Sequence, residues 1–397
     1  MKALFVHDYR FFETEKGVYS NDINYKVFRR YLTVFDELTV VGRHGRVDQE
    51  TSSSHRNASG PGVSFSLLPN ISSPRAFLGL RGRVARTLRR LIDSHDVVIF
   101  RLPSELGLLA ASIARRCGRN YTVELVACSW DSLWNYGTSL ARIYAPAQYL
   151  RVRRAIWRAR FVVYVTEHFL QSRYPPNSSS LTTSISNVEI PVANEDTRIS
   201  LKRVIRSRDC RLRIGVIGSM FVRYKGIDTG IDAIGKLTAM GHDVELRVLG
   251  GGNVQLYADR AKRLGIFDRV IFDGTLPAGD PVFSWLDEID IYIQPSLQEG
   301  LPRALIEAMS RGCPAVGSIA GGIPELLPTE FVFKPKESDH LAEILDRMIV
   351  SEAIRVQASR RNHERAQDYR SDVLNESRHA FLSNIADHAK MERCGAG

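Results

Sequence analysis

The sequence predicts an α/β protein of two Rossmann-like domains, each built on a parallel, doubly wound sheet. Three observations carry this reading. Short apolar runs alternate with helical stretches in two series, one before residue 190 and one from residue 212. A polar stretch, PVANEDTRISLKRVIRSRD (191–209), separates the series and reads as the linker. A chain of 397 residues is long enough for two domains that each bury a core.

In the first series KALFVH (2–7) reads as a buried strand, NDINYKVFRRYL (21–32) as a helix and LTVVGR (38–43) as the next strand. DVVIF (96–100), YTVELV (121–126) and FVVYV (161–165) are further β-rich runs with helical stretches between them. LRIGVI (212–217) opens the second series, which continues with VELRVLG (244–250), RVIFDG (269–274), DIYIQP (290–295) and PAVGS (314–318). The last sixty residues are charged and helical in pattern.

Apolar content of 44% and charged content of 25% are those of a soluble globular protein. The N-terminus, MKALFVHDY, has too short an apolar run for a signal peptide, and no stretch approaches the roughly 20 apolar residues of a membrane span. Five scattered cysteines without a CxxC fit a reducing cytoplasm and give no support to a zinc site. The net charge of +10 is lopsided: residues 1–200 carry 27 Lys and Arg against 17 Asp and Glu, and residues 201–397 carry 27 of each. The excess points to an anionic surface met by one domain only, membrane or nucleic acid.

Ligands of open parallel sheets bind beyond the carboxyl ends of the strands. Glu299 follows DIYIQP at such an end. Pro302 suits a first helical turn, so Gly300, Leu301 and Arg303 stand at a helix N-terminus, where free N–H groups and the macrodipole favour phosphate. Glu307, one and a half turns on, suits ribose hydroxyls. The alternative is that Glu307 pairs with Arg303 and Arg311 at i±4 while Glu299 is a loop residue. GSMFVRYKG (218–226) follows another strand; Gly218, Arg223, Lys225 and Gly226 make either a diphosphate cradle or a basic surface turn. VLGGGN (248–253), with Gly251, and FDGTLP (272–277), with Gly274 and Thr275, are two more glycine-containing strand ends on the same side of the sheet. DEID (287–290) reads as a solvated helix end rather than a metal motif.

With these residues in view, the C-terminal half resembles the donor domain of retaining glycosyltransferases of the GT-B fold, family 4. That family carries a G-x-x…K-G turn and P-S-x-x-E-G-x-P-x-x-x-x-E-A-M with a later G-G-x-x-E; this chain reads PSLQEGLPRALIEAM and GGIPE (321–325). The resemblance covers roughly residues 212–345. It implies two Rossmann-like domains facing across a cleft: an acceptor-side domain over 1–195, a nucleotide-sugar domain over 196–368, and a helical segment over 369–397 crossing back to the first domain. It also implies that Glu307 holds the nucleotide ribose. Glu299 and the backbone of Gly300, Leu301, Pro302 and Arg303 would face donor sugar and diphosphate, and Lys225, helped by Arg223, would neutralise the leaving diphosphate. No metal or other cofactor is expected, the nucleotide diphosphate sugar being a substrate.

The chain departs from the family pattern at three places. Ser219 stands where an arginine is usual after the first glycine. EKGVYSND (15–22) replaces the paired-glycine loop, with Gly17 the nearest equivalent. The loop ACSWDSLWNYG (127–137) lacks the usual histidine, leaving Asp131 as the candidate beside the donor sugar. His7, at the end of the first strand, is a second candidate, although a lone histidine is more often structural.

Two arginine-rich segments, RAFLGLRGRVARTLRR (75–90) and ARIYAPAQYLRVRRAIWRAR (141–160), lie in the first domain; the second is interleaved with Tyr144, Tyr149 and Trp157. They are solvated helix faces or a contact with an anionic membrane. With the resemblance, the membrane reading implies a lipid-linked oligosaccharide acceptor and an enzyme peripheral on the cytoplasmic face of the membrane. Two alternatives remain: a nucleotide-sugar epimerase of GT-B type, and a basic nucleic-acid-binding protein, against which no nucleic-acid motif appears.

Overall fold

The computed structural model describes residues 1–21, 23–45, 56–71, 74–191 and 211–395. The expected linker and the 195/196 boundary lie outside the described residues.

The first domain runs β1 (Lys2–Thr14), β2 (Gly17–Ser20), α1 (Tyr25–Arg29), β3 (Glu37–His44), β4 (Arg56–Asn57), β5 (Val63–Leu68), α2 (Pro74–Ser94), β6 (Val97–Leu102), α3 (Glu105–Arg116), β7 (Thr122–Leu125), α4 (Ser129–Trp134), α5 (Ser139–Trp157), β8 (Phe161–Tyr164), α6 (Phe169–Arg173) and β9 (Leu181–Ser184). Its main sheet is parallel, in the order β5-β3-β1-β6-β7-β8-β9. The second domain runs β10 (Leu212–Ile217), α7 (Ile227–Ala239), β11 (Val244–Leu249), α8 (Val254–Arg263), β12 (Val270–Gly274), α9 (Asp280–Asp287), β13 (Ile291–Gln294), α10 (Arg303–Ser310), β14 (Ala315–Ser318), α11 (Ile323–Leu326), β15 (Val332–Phe333), α12 (Ser338–Val350), α13 (Glu352–Ala366) and α14 (Ser371–Gly395). Its sheet is parallel in the order β12-β11-β10-β13-β14-β15. In both domains the winding reverses beside the opening strand. The loops after β10 and β13 therefore leave adjacent strands in opposite directions and open a crevice between them.

The first strand is longer than its apolar run. β1 continues past His7 through Thr14, with a register shift between Val6 and Arg10, and its far half pairs antiparallel with β2, which pairs in turn with β4. The polar HDYR interrupts the pattern that marks a strand in sequence. Phe11, fully buried against the rings of Phe28 and Phe65, carries the strand onward.

One hydrophobic core fills the first domain and continues into Leu305, Ile306 and Ile323 of the second. A separate core lies between the other face of the second sheet and helices α7 and α12, with Ile231, Ile234, Leu341 and Leu345 fully buried. The chain then returns to the first domain. After the 3-10 turn Gln367–Tyr369, the Ser371 N–H donates to the Ile190 carbonyl, and α14 lays Phe381 and His388 against Phe161. Among the described residues no helix is long and apolar enough to cross a membrane.

Candidate active site

The crevice of the second sheet assembles two of its loops around one ion pair. The loop after β10 makes a 3-10 turn, Arg223–Lys225, closed by Gly226 in the left-handed conformation at φ 68°. A Cβ at Gly226 would lie 1.9 Å from the Pro295 carbonyl oxygen, so conformation and space both require glycine there. This close approach seats the β10 loop on the β13 loop, where the Leu297 N–H donates to the Tyr224 carbonyl at 2.7 Å. The result is that Lys225 Nζ meets Glu299 Oε1 at 2.7 Å, although 74 residues separate them.

Glu299 is itself fixed. The same Oε1 accepts from Ser296 Oγ at 2.8 Å and Gln294 Nε2 at 3.2 Å, and Gln294 Oε1 accepts from the Tyr292 hydroxyl. The Glu299 side chain is 10% exposed and that of Lys225 is 23% exposed. The ammonium is therefore held by Glu299 on a side chain that keeps partial exposure, an arrangement that lets it meet an anion entering the crevice.

Helix α10 begins immediately beyond. Pro302 is its N-cap, one position earlier than the first helical turn expected for it, with ψ at 110°. Among the described residues no acceptor takes the N–H of Gly300, Leu301 or Arg303, so the helix presents free donors beside Lys225. Glu307, on this helix, does not make the ion pairs that its spacing allows. Arg311 turns away to Asp287, at 2.7 Å through both Nε and Nη2, and the exposed Arg303 lowers the Glu307 pKa only through space. Burial pushes the Glu307 carboxyl above its ordinary value, and Glu189 of the first domain adds to the shift. Among the described residues no cation closes on it, and a half-buried carboxylate of this kind is an acceptor for neutral hydroxyls.

The remaining expected residues divide. Gly218 lies against the Lys225 side chain, and Gly251 lies against the Thr275 methyl in the neighbouring loop, where the Gly250 N–H donates to the Gly274 carbonyl. These build the wall of the crevice. Arg223 is exposed and faces Asp228 at 3.6 Å rather than the Lys225–Glu299 pair. Gly17 stands in the β1–β2 ribbon against Ser59. Asp131 sits on helix α4, where a loop was expected, and its carboxylate is taken by Arg173 at 3.0 Å. His7 packs on Tyr9 with the rings tilted at 38° and 3.9 Å between centroids, and burial together with Arg101 and Arg43 holds its pKa well below the usual range, so it is neutral. In DEID, Asp287 binds Arg311 and Glu288 binds Arg213 at 3.1 Å; the segment is an ion-pair staple.

One residue of the resemblance acquires a role that its motif alone does not disclose. Glu325 reaches across to the first domain and accepts from the N–H groups of Glu167 at 2.6 Å, His168 at 3.1 Å and Phe169 at 2.6 Å. Beside it, a Cβ at Gly300 would lie 2.2 Å from the Val126 carbonyl oxygen, so glycine there lets the site loop touch the first domain. The crevice and the facing domain are thus clamped at two points. Glu325→Ala is expected to lower the unfolding free energy by about 1 kcal/mol, discounted for partial exposure. An unchanged midpoint in urea would mean that the clamp adds nothing to stability.

Compared with known proteins, residues 211–351 match the family described as glycosyl transferases group 1. The whole chain is similar to Protein CapJ of Staphylococcus aureus, 31% identical over 387 residues, 97% of this chain and 95% of the relative. It is 28% identical over 263 residues, 61% of this chain and 64% of the other, to a GDP-mannose-dependent alpha-(1-6)-phosphatidylinositol monomannoside mannosyltransferase of Mycolicibacterium smegmatis. In fold it is similar to Anabaena Alr3699/HepE in complex with UDP, with a TM-score of 0.66 at 19% identity over 97% of this chain and 100% of that one.

Proposed function

The chain belongs to the group 1 glycosyl transferases, and on that premise we propose that it moves a sugar, with retention, from a nucleotide diphosphate sugar to a lipid-linked saccharide. It is a glycosyltransferase of GT-B fold acting in polysaccharide or glycolipid biosynthesis. The observation that carries the finer reading is the Lys225–Glu299 pair beside the free N-terminus of α10, with Glu307 one turn further along.

In this reading the nucleotide ribose bonds to the Glu307 carboxylate and the diphosphate lies over Lys225 and the N–H groups of Gly300, Leu301 and Arg303. Glu299 keeps the ammonium in place and turns its carboxylate toward hydroxyls of the donor sugar. As the bond between the anomeric carbon and the phosphate oxygen breaks, negative charge grows on the diphosphate, where the lysine and the helix N-terminus stabilise it without a metal ion. The acceptor oxygen bonds to the same face of the sugar, and its proton passes to the leaving phosphate oxygen. A thermal-shift screen of nucleotide sugars, followed by nucleotide release with the best binder, tests the reading. A chain that binds none of them, or that binds one and releases nucleotide with no sugar product, overturns it.

The acceptor side of the proposal rests on charge and on exposed apolar side chains. On α2, Arg83, Arg86, Arg89 and Arg90 are exposed while Val84 and Leu88 are buried. On α5, Tyr144 and Tyr149 are not surface aromatics: their hydroxyls donate inward to Glu105 and to the Arg173 carbonyl. Leu140, Ile143, Leu150 and Trp157 are the side chains that stand out on that helix, 50–76% exposed. Several arginines at about 1 kcal/mol each suffice for reversible adsorption to an anionic bilayer on the cytoplasmic face. Co-sedimentation with vesicles should rise with anionic lipid, fall as salt shortens the Debye length, and weaken when Arg86, Arg89 and Arg90 are changed to glutamine. Binding indifferent to salt and lipid charge would make these arginines a solvated face.

A further inference from the structure

A cavity of about 910 Å3 opens between α3 and α5, with Ile71 and, on α2, Arg81 on its margin, away from the Lys225–Glu299 pair. Its wall is largely apolar, with Leu108, Leu109, Ala111, Leu133, Leu140 and Ala155 among the lining side chains. It extends along α3 from Glu105 to Arg115, about 15 Å at the helical rise. Its two ends differ in charge. At the Glu105 end Arg151 is neutralised: it bonds both oxygens of the Glu105 carboxylate, which also accepts from Tyr144 and Gln148, and Arg81 of α2 joins the lining. At the other end Arg115 and Arg158 are exposed and gather near Tyr121, with exposed Arg154 one turn back on α5.

The topology decides which end is which. Helix α3 follows β6 in a parallel sheet, so Glu105 stands at the carboxyl edge of the strands, toward the cleft, and Arg115 at the opposite edge. Tyr121 directly precedes β7, on that same far edge, and its hydroxyl donates to the Ala155 carbonyl. An anionic head bound at Arg115 and Arg158 would therefore be remote from the transfer site. A lipid held there keeps its head at the sheet edge opposite the cleft, whereas the acceptor must bring its sugar to Lys225. The exposed Leu140, Ile143, Leu150 and Trp157 continue the apolar surface outward on α5.

We infer that this cavity takes one hydrocarbon tail of an anionic bilayer phospholipid whose phosphate sits on Arg115, Arg154 and Arg158, a lipid that anchors the enzyme and is not its substrate. The inference rests on the proposed membrane setting for the source of the lipid. A tail drawn into an apolar cavity and a phosphate met by several guanidinium groups complement the two chemistries of this site. An anchor of this kind fixes the orientation of the first domain, which diffuse attraction by α2 does not.

The test uses the full chain, with phosphatidylglycerol and phosphatidylcholine presented singly in detergent and observed by native mass spectrometry. A one-to-one complex with phosphatidylglycerol is expected. The Arg115→Gln, Arg158→Gln double variant should bind it about thirtyfold more weakly, the combined worth of two arginines near an anionic group. Ser112→Trp, which fills the cavity from α3, should abolish the complex. Nucleotide binding, measured by calorimetry, should persist in both variants, and an unchanged thermal midpoint with native near-ultraviolet circular dichroism certifies their fold; the arginine variant, at exposed positions, carries the test if Ser112→Trp does not fold. Equal binding of the two lipids, or binding untouched by both variants, overturns the inference. Displacement of phosphatidylglycerol by a polyprenyl phosphate from the variant-sensitive site would assign the cavity to the acceptor and also overturn it. Vesicle co-sedimentation separates the two failures. A chain that adsorbs to anionic vesicles equally with and without Ser112→Trp keeps the membrane reading and loses the tail site; a chain that adsorbs to none loses the membrane reading itself.

Discussion

Lys225→Ala is expected to lower the rate of sugar transfer by about 100- to 1,000-fold, the scale of removing one preorganised group from a developing oxyanion. The reason lies in how the lysine is held. Its ammonium is fixed by Glu299 at 2.7 Å, and Glu299 is fixed by Ser296 and Gln294, so the charge needs no reorganisation when the diphosphate departs. The monophosphate of the same nucleoside lacks the phosphate that gains charge. Its affinity should therefore fall much less than turnover. Steady-state rates with the donor, beside calorimetry with the monophosphate, decide the matter. Equal losses in the two would make Lys225 a structural residue of the β10 loop. The variant should still fold, because Glu299 keeps its hydrogen bonds to Ser296 and Gln294.

Glu307→Ala is expected to weaken donor binding by about 1–3 kcal/mol, the worth of hydrogen bonds to a charged acceptor, with no loss of stability. The second half follows from the pKa. Burial raises the Glu307 carboxyl above its unfolded value. The folded state therefore binds the proton more tightly, and ionisation at neutral pH opposes folding. That opposition fades as pH falls through the raised pKa, so Glu307→Gln should stabilise the chain at neutral pH and less so in acid. Donor affinity runs the other way. The ionised carboxylate is the stronger acceptor, so affinity should be full above the raised pKa and decline as pH drops through it. The glutamine variant should show a flat profile. A variant that binds donor as the parent does, at all pH values, removes Glu307 from the site.

Much of this was readable in the sequence because it is periodic or local. The alternating strands, the helix after Pro302 and the two glutamates eight positions apart are set by neighbours within a turn or two of chain. They placed Glu299 and Glu307 about one helix N-terminus and Lys225 at a neighbouring strand end, and the folded chain closes Lys225 on Glu299. Other readings depended on partners far away in sequence. Nothing near Asp131 announces that Arg173 takes its carboxylate, and nothing in the spacing of Glu307 and Arg311 says that Asp287 captures the arginine. Tyr144 and Tyr149 look like interfacial aromatics until Glu105 and Arg173 draw their hydroxyls inward.

The sequence by itself determined the two-domain α/β class and the charge asymmetry, since these follow from composition and hydrophobic period; it singled out Glu299 and Glu307 only through the resemblance of their motif. Tertiary structure alone decided which charges are spent and which remain available. It clamped Glu325 onto the backbone of the opposite domain and neutralised Arg151 with Glu105. Among the described residues it left Glu307 without a cation, and it gathered Arg115 and Arg158 beside an apolar cavity. An ion pair forms between groups that the folded chain brings within about 4 Å, and sequence distance does not fix that separation.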